Sequence, residues 1–159
     1  MAHEHRYRVD TIWTGNTGTG TSGYRDYARD YRLSAARRPD IAGSSDPAFR
    51  GDPTRWNPED LLLASVSACH QLWYLHLCAD AGIAVLAYED AAESTMVEGD
   101  AQTGGHFTQF VLRPRVTVRP GDDLALAHRL HEAAHAQCFV ANSLKTPVLC
   151  EPTITPAPR

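Results

Sequence analysis

The sequence lacks the features of several specialised protein classes. A formal net charge of −4 gives no electrostatic footprint for nucleic acid or for an anionic membrane surface. No long apolar run is free of polar side chains, because the most apolar stretch, residues 61–81, contains serine, histidine, glutamine and aspartate. That mixture is typical of a buried helix in a soluble protein rather than of a membrane span. We therefore expect neither nucleic acid nor a membrane as a partner.

The amino-terminal residues and the cysteines also lack the marks of a secreted protein. The start, MAHEHRYRVDTIW, is polar and has no apolar core of a secretory signal, so we expect a cytoplasmic protein. The four cysteines are widely spaced, which argues against a secreted disulfide framework. In a reducing compartment, a functional cysteine is catalytic, redox-active or metal-bound.

The organisation of the chain indicates one domain of mixed structure. A length of 159 residues suits a single domain over 1–159, and no internal repeat is visible. Turn-forming segments separate strand patterns from two helical patterns, and the order ββαββαβ predicts an α+β fold. The expected strands are 5–13, 27–35, 83–96, 106–118 and 147–154, and 36–57 is expected to be a surface excursion.

Two helices have clear start signals. Asn57 is a good N-cap and Pro58 suits the first helical position. The helix is expected to continue to Gly82 with apolar residues on nearly all faces, so it should be central and partly covered by another subunit. A second helix, LALAHRLHEAAHAQC, follows a pair of aspartates and ends at Cys138.

The cysteines can be interpreted from the residues alone in two ways. Cys69 lies near the middle of the first helix and Cys138 at the end of the second. Both could be small core residues, or both could be functional thiols. Cys78 is nine positions after Cys69, which rotates it to about the opposite side of the helix, and it is expected to be a core residue. Cys150 has no identifiable partner.

Two further patterns suggest ligand binding. His135 and Cys138 are three positions apart and could face one zinc ion with Cys69 or His70. However, neighbouring residues of a helix diverge by about 100°, so Cys69 and His70 are poor joint ligands. Residues 18–23 match G-x-G-x-x-G, but no helix pattern follows, so we expect a loop rather than a dinucleotide site.

Two segments together resemble a known family. Asn57-Pro58-Glu59-Asp60-Leu61-Leu62, followed by Ser67-Ala68-Cys69-His70, is similar to the NPE(x)LL…AC signature of the OsmC/organic hydroperoxide resistance family. The later Ala134-His135-Ala136-Gln137-Cys138 resembles the second cysteine motif of that family. The resemblance implies an OsmC-like fold, with two mostly antiparallel sheets around central helices in an intertwined homodimer.

The resemblance also implies roles for individual residues. Cys69 would be the peroxidatic cysteine and Cys138 the resolving one. Glu59 matches the active-site glutamate of the family, although taken alone it is a first-turn acid that favours the helix start. Arg25 matches the active-site arginine, with Arg29 as the second choice; taken alone, Arg25 is a solvated loop charge.

The implied function is that of a thiol peroxidase that reduces organic hydroperoxides. Peroxide would convert Cys69 to a sulfenate, Cys138 would form a disulfide with it, and a dithiol or lipoyl-type reductant would restore both thiols. No metal or organic cofactor is needed. The apolar Leu62, Val66, Leu72 and Trp73 could line a substrate pocket or belong to the core. The alternative is a non-enzymatic thiol switch or a small-ligand-binding protein on the same fold.

Helix geometry limits how these residues can combine. Ten residues of helix separate Glu59 from Cys69 by about 15 Å along the axis, so a site that uses both must take Glu59 from a second subunit.

The sequence also departs from the family pattern: Phe139 follows Cys138 where many members have proline, and Arg25 lies in Gly-Tyr-Arg-Asp-Tyr. These departures indicate a divergent OsmC-like branch.

Overall fold

The computed structural model describes residues 3–158, and it is mixed α+β as predicted. Packing of the chain divides it into two compact units, residues 1–61 and 62–159. Within the described residues there are three three-stranded sheets, whereas the family resemblance implied two. The extra sheet arises because predicted single strands are broken in the second unit, as described below.

The first unit contains one antiparallel sheet. Its strands are β1 (Asp10–Trp13), β2 (Tyr31–Ser34) and β3 (Ile41–Gly43), in the order β1-β2-β3. The two predicted strands correspond to β1 and β2, but each is only four residues long. Both strands are therefore shorter than the alternation of apolar and polar residues predicted.

The prediction that 36–57 is only a surface excursion is wrong. Strand β3 lies inside this segment and pairs with β2, and a short 3-10 helix follows at Pro47–Phe49. The chain reverses before β3 in a turn where Arg37 has a φ of 63°. A non-glycine residue in the left-handed region is uncommon, so the composition gave no sign of this hairpin.

The loop between β1 and β2 contains the G-x-G-x-x-G match, and the expectation of a loop is confirmed. The side-chain oxygen of Asn16 accepts hydrogen bonds from the backbone N–H groups of Gly18 and Gly20, at 2.9 and 3.0 Å. Gly18 and Gly20 have φ values of 122° and 60°, a conformation that glycine adopts readily. No helix begins within residues 18–23.

The second unit contains two sheets, each with one antiparallel and one parallel pairing. One has the order β4-β7-β9 and the other the order β5-β6-β8. The strands are β4 (Val85–Asp90), β5 (Glu93–Val97), β6 (His106–Leu112), β7 (Pro114–Val118), β8 (Val148–Cys150) and β9 (Thr153–Pro156).

Each predicted strand of this unit is divided between the two sheets at a common corner. Arg113 separates β6 from β7, and its backbone N–H donates to the Asp90 carboxylate at 2.8 Å. Its guanidinium group donates to Glu93 and to Glu151, which lie next to the other two breaks. This arrangement fixes the corner through contacts between residues distant in sequence, which an alternation pattern cannot reveal.

The helices are α1 (Pro58–Asp80), α2 (Leu124–Gln137) and the four-residue α3 (Phe139–Asn142). The start of α1 is confirmed, because the Asn57 side-chain oxygen accepts from the backbone N–H of Asp60 at 2.7 Å. The second helix ends one residue earlier than predicted. Its predicted last residue, Cys138, instead connects α2 to α3.

The buried residues of α1 form a stripe with four-residue spacing: Val66, His70, Tyr74 and Cys78. Val66 packs in a core with residues of β6, whereas Tyr74 and Cys78 pack in a second core with residues of β7 and α2. By length and composition alone α1 could cross a membrane. Its packing across both cores is that of a central helix, as the sequence predicted.

The N-cap of α2 provides a test of local stability. The Asp123 carboxylate accepts from the backbone N–H of Leu126 at 2.9 Å, so Asp123→Ala should lower the free energy of unfolding by about 1 kcal/mol. This loss should lower Tm by about 2–4 °C, which differential scanning calorimetry can measure. Asp123→Asn is the matched control, because asparagine caps equally well. Equal stability of the alanine variant and the wild type would contradict this assignment.

Candidate active site

The two cysteines singled out by sequence lie side by side in the second unit. Cys69 is half-buried on α1, and Cys138 is fully buried between α2 and α3. The side chains are close enough for Cys69 to act on the pKa of the Cys138 thiol, and neither is in a disulfide. We call Cys69 and Cys138 the thiol pair.

The backbone between α2 and α3 holds Cys138 in place. Its φ of −69° and ψ of 108° are extended, so α2 ends there and the chain turns into α3. The Cys138 sulfur accepts from the backbone N–H of Ala141 at 3.4 Å. The Asn142 side chain in turn donates to the Ala136 carbonyl at 3.0 Å. These bonds fix the sulfur of Cys138 against α1.

The environment of Cys138 favours its protonated form. Burial raises the pKa of the Cys138 thiol to about 11, and the hydrogen bond with Cys69 acts in the same direction. Near neutral pH, Cys138 is therefore a thiol rather than a thiolate, and it is a weak nucleophile in the resting protein.

An apolar cavity of about 310 Å³ opens beside Cys69. Of the four apolar residues that could line a pocket or belong to the core, Leu72 and Trp73 line the cavity, whereas Leu62 and Val66 pack in a core. The lining is completed by Cys69, His76 and Phe139.

Sequence reasoning missed His76 and Phe139 as lining residues. His76 is seven positions, about two helical turns, after Cys69, and this spacing places both on one face of α1. Phe139 directly follows Cys138, and its ring packs edge-on against Trp73 with 5.5 Å between ring centroids. Helical spacing could have identified His76, whereas the position of Phe139 depends on the turn after α2.

The two candidate arginines lie in the first unit and differ in their surroundings. The Arg29 guanidinium lies over the rings of Tyr24 and Tyr27, 4.4 and 4.1 Å from their centroids. It also donates to the carbonyls of both tyrosines at 2.7 Å. Arg25 is exposed and makes no hydrogen bond or ion pair with the residues the structure describes. Arg29 thus stabilises the loop, while the Arg25 guanidinium is available to bind another group.

Glu59 lies in the first turn of α1 and also belongs to the first unit. One of its carboxylate oxygens, Oε2, is buried and has no hydrogen-bond partner among residues 3–158. The pKa of nearby Tyr31 is raised, first by burial and second by the negative charge of Glu59. A buried carboxylate oxygen without a donor is unusual, so Glu59 is suited to receive a cationic partner.

Of the zinc ligands considered from the sequence, His70 belongs to the group of possible ligands in the structure, whereas Cys69, His135 and Cys138 do not. Among described residues, the side chains that could share one ion are His70, His131 and Cys150. Cys69 faces the cavity instead, as the divergence of neighbouring helical residues predicts. Cys150 is 80 residues from His70 and 19 from His131 in sequence, so spacing gave no signal for this cluster.

The fold and the thiol pair define an α+β protein with one cysteine on a central helix and a second at the end of the following long helix. The chain belongs to the OsmC-like protein family, whose model matches residues 51–152. This match covers more than half of the chain and includes the thiol pair.

Solved structures of the same fold are similar over nearly the whole chain. An OsmC-like protein of unknown function from Vibrio cholerae is 25% identical, with a TM-score of 0.83 over 94% of this chain and 100% of that one. An organic hydroperoxide resistance protein OsmC from Legionella pneumophila is 16% identical, with a TM-score of 0.67 over 96% and 99%. One from Elizabethkingia anophelis is 18% identical, with a TM-score of 0.67 over 98% and 100%. No curated protein matches the sequence.

The high pKa of Cys138 predicts how disulfide formation depends on pH. After an added peroxide oxidises Cys69 to a sulfenate, closure of the disulfide requires the Cys138 thiolate. Because the pKa of Cys138 is about 11, the thiolate fraction should rise about tenfold per pH unit between about pH 6 and pH 9. Stopped-flow measurement of intrinsic tryptophan fluorescence, to which Trp73 in the cavity contributes, should therefore show a second phase that accelerates with pH and is absent in Cys138→Ser. A second phase that is independent of pH would contradict this prediction.

Proposed function

We propose that this protein is a cysteine-based peroxidase that reduces organic hydroperoxides to alcohols. The observation that carries the proposal is the proximity of the Cys138 thiol to Cys69, which lines an apolar cavity. Two neighbouring cysteines can form a disulfide after one of them is oxidised, and a two-cysteine peroxidase needs a substrate-accessible sulfur with a resolving thiol beside it.

The assignment of Cys69 as the attacking residue follows from access. Cys69 lines the cavity, whereas Cys138 is 0% exposed and its raised pKa keeps it protonated. An approaching peroxide therefore meets Cys69 first. Cys138 reacts only with a group that has already formed on Cys69.

In the proposed reaction, peroxide reduction is followed by disulfide formation and then by reduction of the disulfide. The Cys69 thiolate attacks one peroxide oxygen, so that an S–O bond forms, the O–O bond breaks, and the alkoxide takes a proton and leaves as an alcohol. Cys138 then attacks the sulfenic sulfur, forming the S–S bond and releasing water. An external dithiol or lipoyl-type reductant supplies the two electrons that restore both thiols.

The cavity lining favours an apolar substrate. Leu72, Trp73 and Phe139 offer hydrocarbon and aromatic surface beside Cys69, which suits the organic part of a hydroperoxide better than hydrogen peroxide. The naming of two structural neighbours as organic hydroperoxide resistance proteins supports the same substrate class.

We further propose that the single OsmC-like domain, residues 1–159, acts as a cytoplasmic homodimer with its active sites at the subunit interface. Leu72 and Phe139 are 68% and 70% exposed beside the cavity, which is apolar surface that a second subunit would cover. In this arrangement, Glu59 of the second subunit orients Arg25. The guanidinium group then favours the Cys69 thiolate and binds the peroxide.

The two cysteines should differ in their mutant phenotypes. Cys69→Ser should reduce organic hydroperoxide turnover to the uncatalysed rate, because serine is not a comparable nucleophile. Cys138→Ser should consume about one equivalent of peroxide per subunit and then stop or over-oxidise. Peroxide consumption and intact-protein mass spectrometry measure these outcomes.

Cys78→Ala is the matched control for that experiment, because Cys78 lies on the buried stripe of α1 away from the cavity. It should retain turnover in a folded protein. Full activity of Cys69→Ser would exclude the peroxidase proposal. A disulfide that forms in the wild type without repeated turnover, in the presence of dithiol, would instead support the thiol switch.

A mixed dimer can test whether Glu59 acts in the active site of its own chain or in that of the other subunit. A Glu59→Ala chain and a Cys69→Ser chain, co-expressed with different tags, should form a heterodimer in which one site contains both intact residues. That heterodimer should recover up to about half of the wild-type turnover per dimer, while each homodimer remains impaired. The half-value follows from one intact site out of two.

The co-expressed pair of Glu59→Ala with Cys69→Ser should be compared with one chain that carries both substitutions, paired with the wild type. In this control, an interface site leaves each active site with one damaged residue. Recovery in the control but not in the first pair would mean that Glu59 serves its own chain. No recovery in a verified first heterodimer would exclude the interface arrangement.

A further inference from the structure

Three side chains from three different elements meet at the buried face of α1, which is distinct from the face that lines the cavity. His70 of α1 and His131 of α2 approach with 2.9 Å between Nε2 and Nδ1, respectively. The Cys150 sulfur of β8 lies 3.6 Å from the same His70 atom and 3.9 Å from the same His131 atom. We call these three residues the histidine–cysteine cluster.

Each of the two histidines of this cluster has one ring nitrogen without a hydrogen-bond partner among residues 3–158. His70 and His131 are only 1% and 3% exposed. Their outer ring nitrogens, His70 Nδ1 and His131 Nε2, are buried and have no hydrogen-bond partner among residues 3–158. The nitrogens without partners are the outer ones, whereas His70 Nε2 and His131 Nδ1 approach the Cys150 sulfur.

The protonation of the two rings suits coordination of a cation. Burial lowers the pKa of His70 to about 4 and that of His131 to about 3. Both rings are therefore neutral near pH 7, and a neutral imidazole offers a lone pair to a metal ion. The ring of Tyr74 stacks on His131 with 3.8 Å between centroids and limits its movement.

We propose that His70 Nε2, His131 Nδ1 and Cys150 Sγ form a zinc site that is separate from the thiol pair. Two imidazole nitrogens and one thiolate sulfur are ligands that Zn²⁺ prefers. This site is independent of the proposed peroxidase chemistry, which uses no residue of the histidine–cysteine cluster.

The distances in the cluster are close to those of a tetrahedral site. Bonds of about 2.0 Å to nitrogen and about 2.3 Å to sulfur place neighbouring nitrogens about 3.3 Å apart, and nitrogen and sulfur about 3.5 Å apart. The two sulfur distances, 3.6 and 3.9 Å, need little change. The two nitrogens must separate by about 0.4 Å. The planes of the two rings, which make an angle of 7° with each other, must tilt as the metal replaces the proton between the rings.

A fourth ligand and a path to solvent are available beside the cluster. His131 and Cys150 line a cavity of about 270 Å³ together with Glu132 and His135. A water molecule in this cavity would complete four-coordination. Coordination releases the Cys150 thiol proton to solvent and moves the shared ring proton to an outer nitrogen. The nearby Asp90 carboxylate, whose charge acts on His70 and on Cys150, offsets the remaining positive charge.

Cobalt provides a spectroscopic test on the full-length protein. Reduced protein treated with a chelator and desalted should bind one Co²⁺ per chain, with a near-ultraviolet thiolate-to-cobalt charge-transfer band that one equivalent of Zn²⁺ removes. Cys150→Ser should abolish the band and weaken zinc affinity at least about 100-fold. His131→Gln should weaken zinc affinity by a similar factor. Cys78→Ala and Cys69→Ser should bind as the wild type does.

The outcomes separate this site from the alternatives. A wild-type protein without the band, or a band that survives Cys150→Ser, would overturn the proposal. Loss of the band in Cys69→Ser or Cys138→Ser would place the metal on the thiol pair instead. If a cluster variant misfolds by circular dichroism, X-ray absorption of the zinc-loaded wild type decides the question. One sulfur at about 2.3 Å supports the site, and none or two sulfurs overturn it.

Discussion

The packing of α1 against two cores at once is the constraint on which the chemistry of the second unit depends. Its buried stripe repeats every four residues from Val66 to Cys78, and this repeat fixes the rotation of the helix about its axis. With the rotation fixed, a residue one position from the stripe must point about 100° away from it. Cys69 therefore faces the cavity, while its neighbour His70 faces the core.

The corner of the sheets determines what the buried side of α1 meets. Asp90 accepts from the backbone N–H of Arg113 and from the hydroxyl of Ser67, so one carboxylate links the corner to the helix. The same corner separates β8 from β9 and brings Cys150 beneath His70. Burial, together with the charges of Asp90 and Glu151, raises the pKa of the Cys150 thiol to about 12. Cys150 is therefore protonated and unreactive unless a metal ion replaces its proton.

Local signals in the sequence predicted the elements, and contacts distant in sequence determined the rest. The start of α1 was predictable because the Asn57 cap and the proline after it act within a few residues. The positions of Cys69 and Cys138 were predicted from motifs that are themselves local. The break at Arg113 was not predictable, because it depends on Glu93 and Glu151, which are 20 and 38 residues away. Likewise, Cys150 lies beside His70 and His131 because β8 pairs in parallel with β6.

The two faces of α1 give its adjacent side chains opposite chemical conditions. On the cavity side, the half-buried Cys69 meets solvent, apolar surface and a second thiol, which are the requirements for reversible oxidation. On the core side, His70 meets a second neutral imidazole and a protonated thiol in a low-dielectric setting. Neutral imidazoles and a cysteine are metal ligands, whereas the protonated thiol is a weak nucleophile towards a peroxide. Because one helix orients both sets, any change in its rotation about the axis would displace them together.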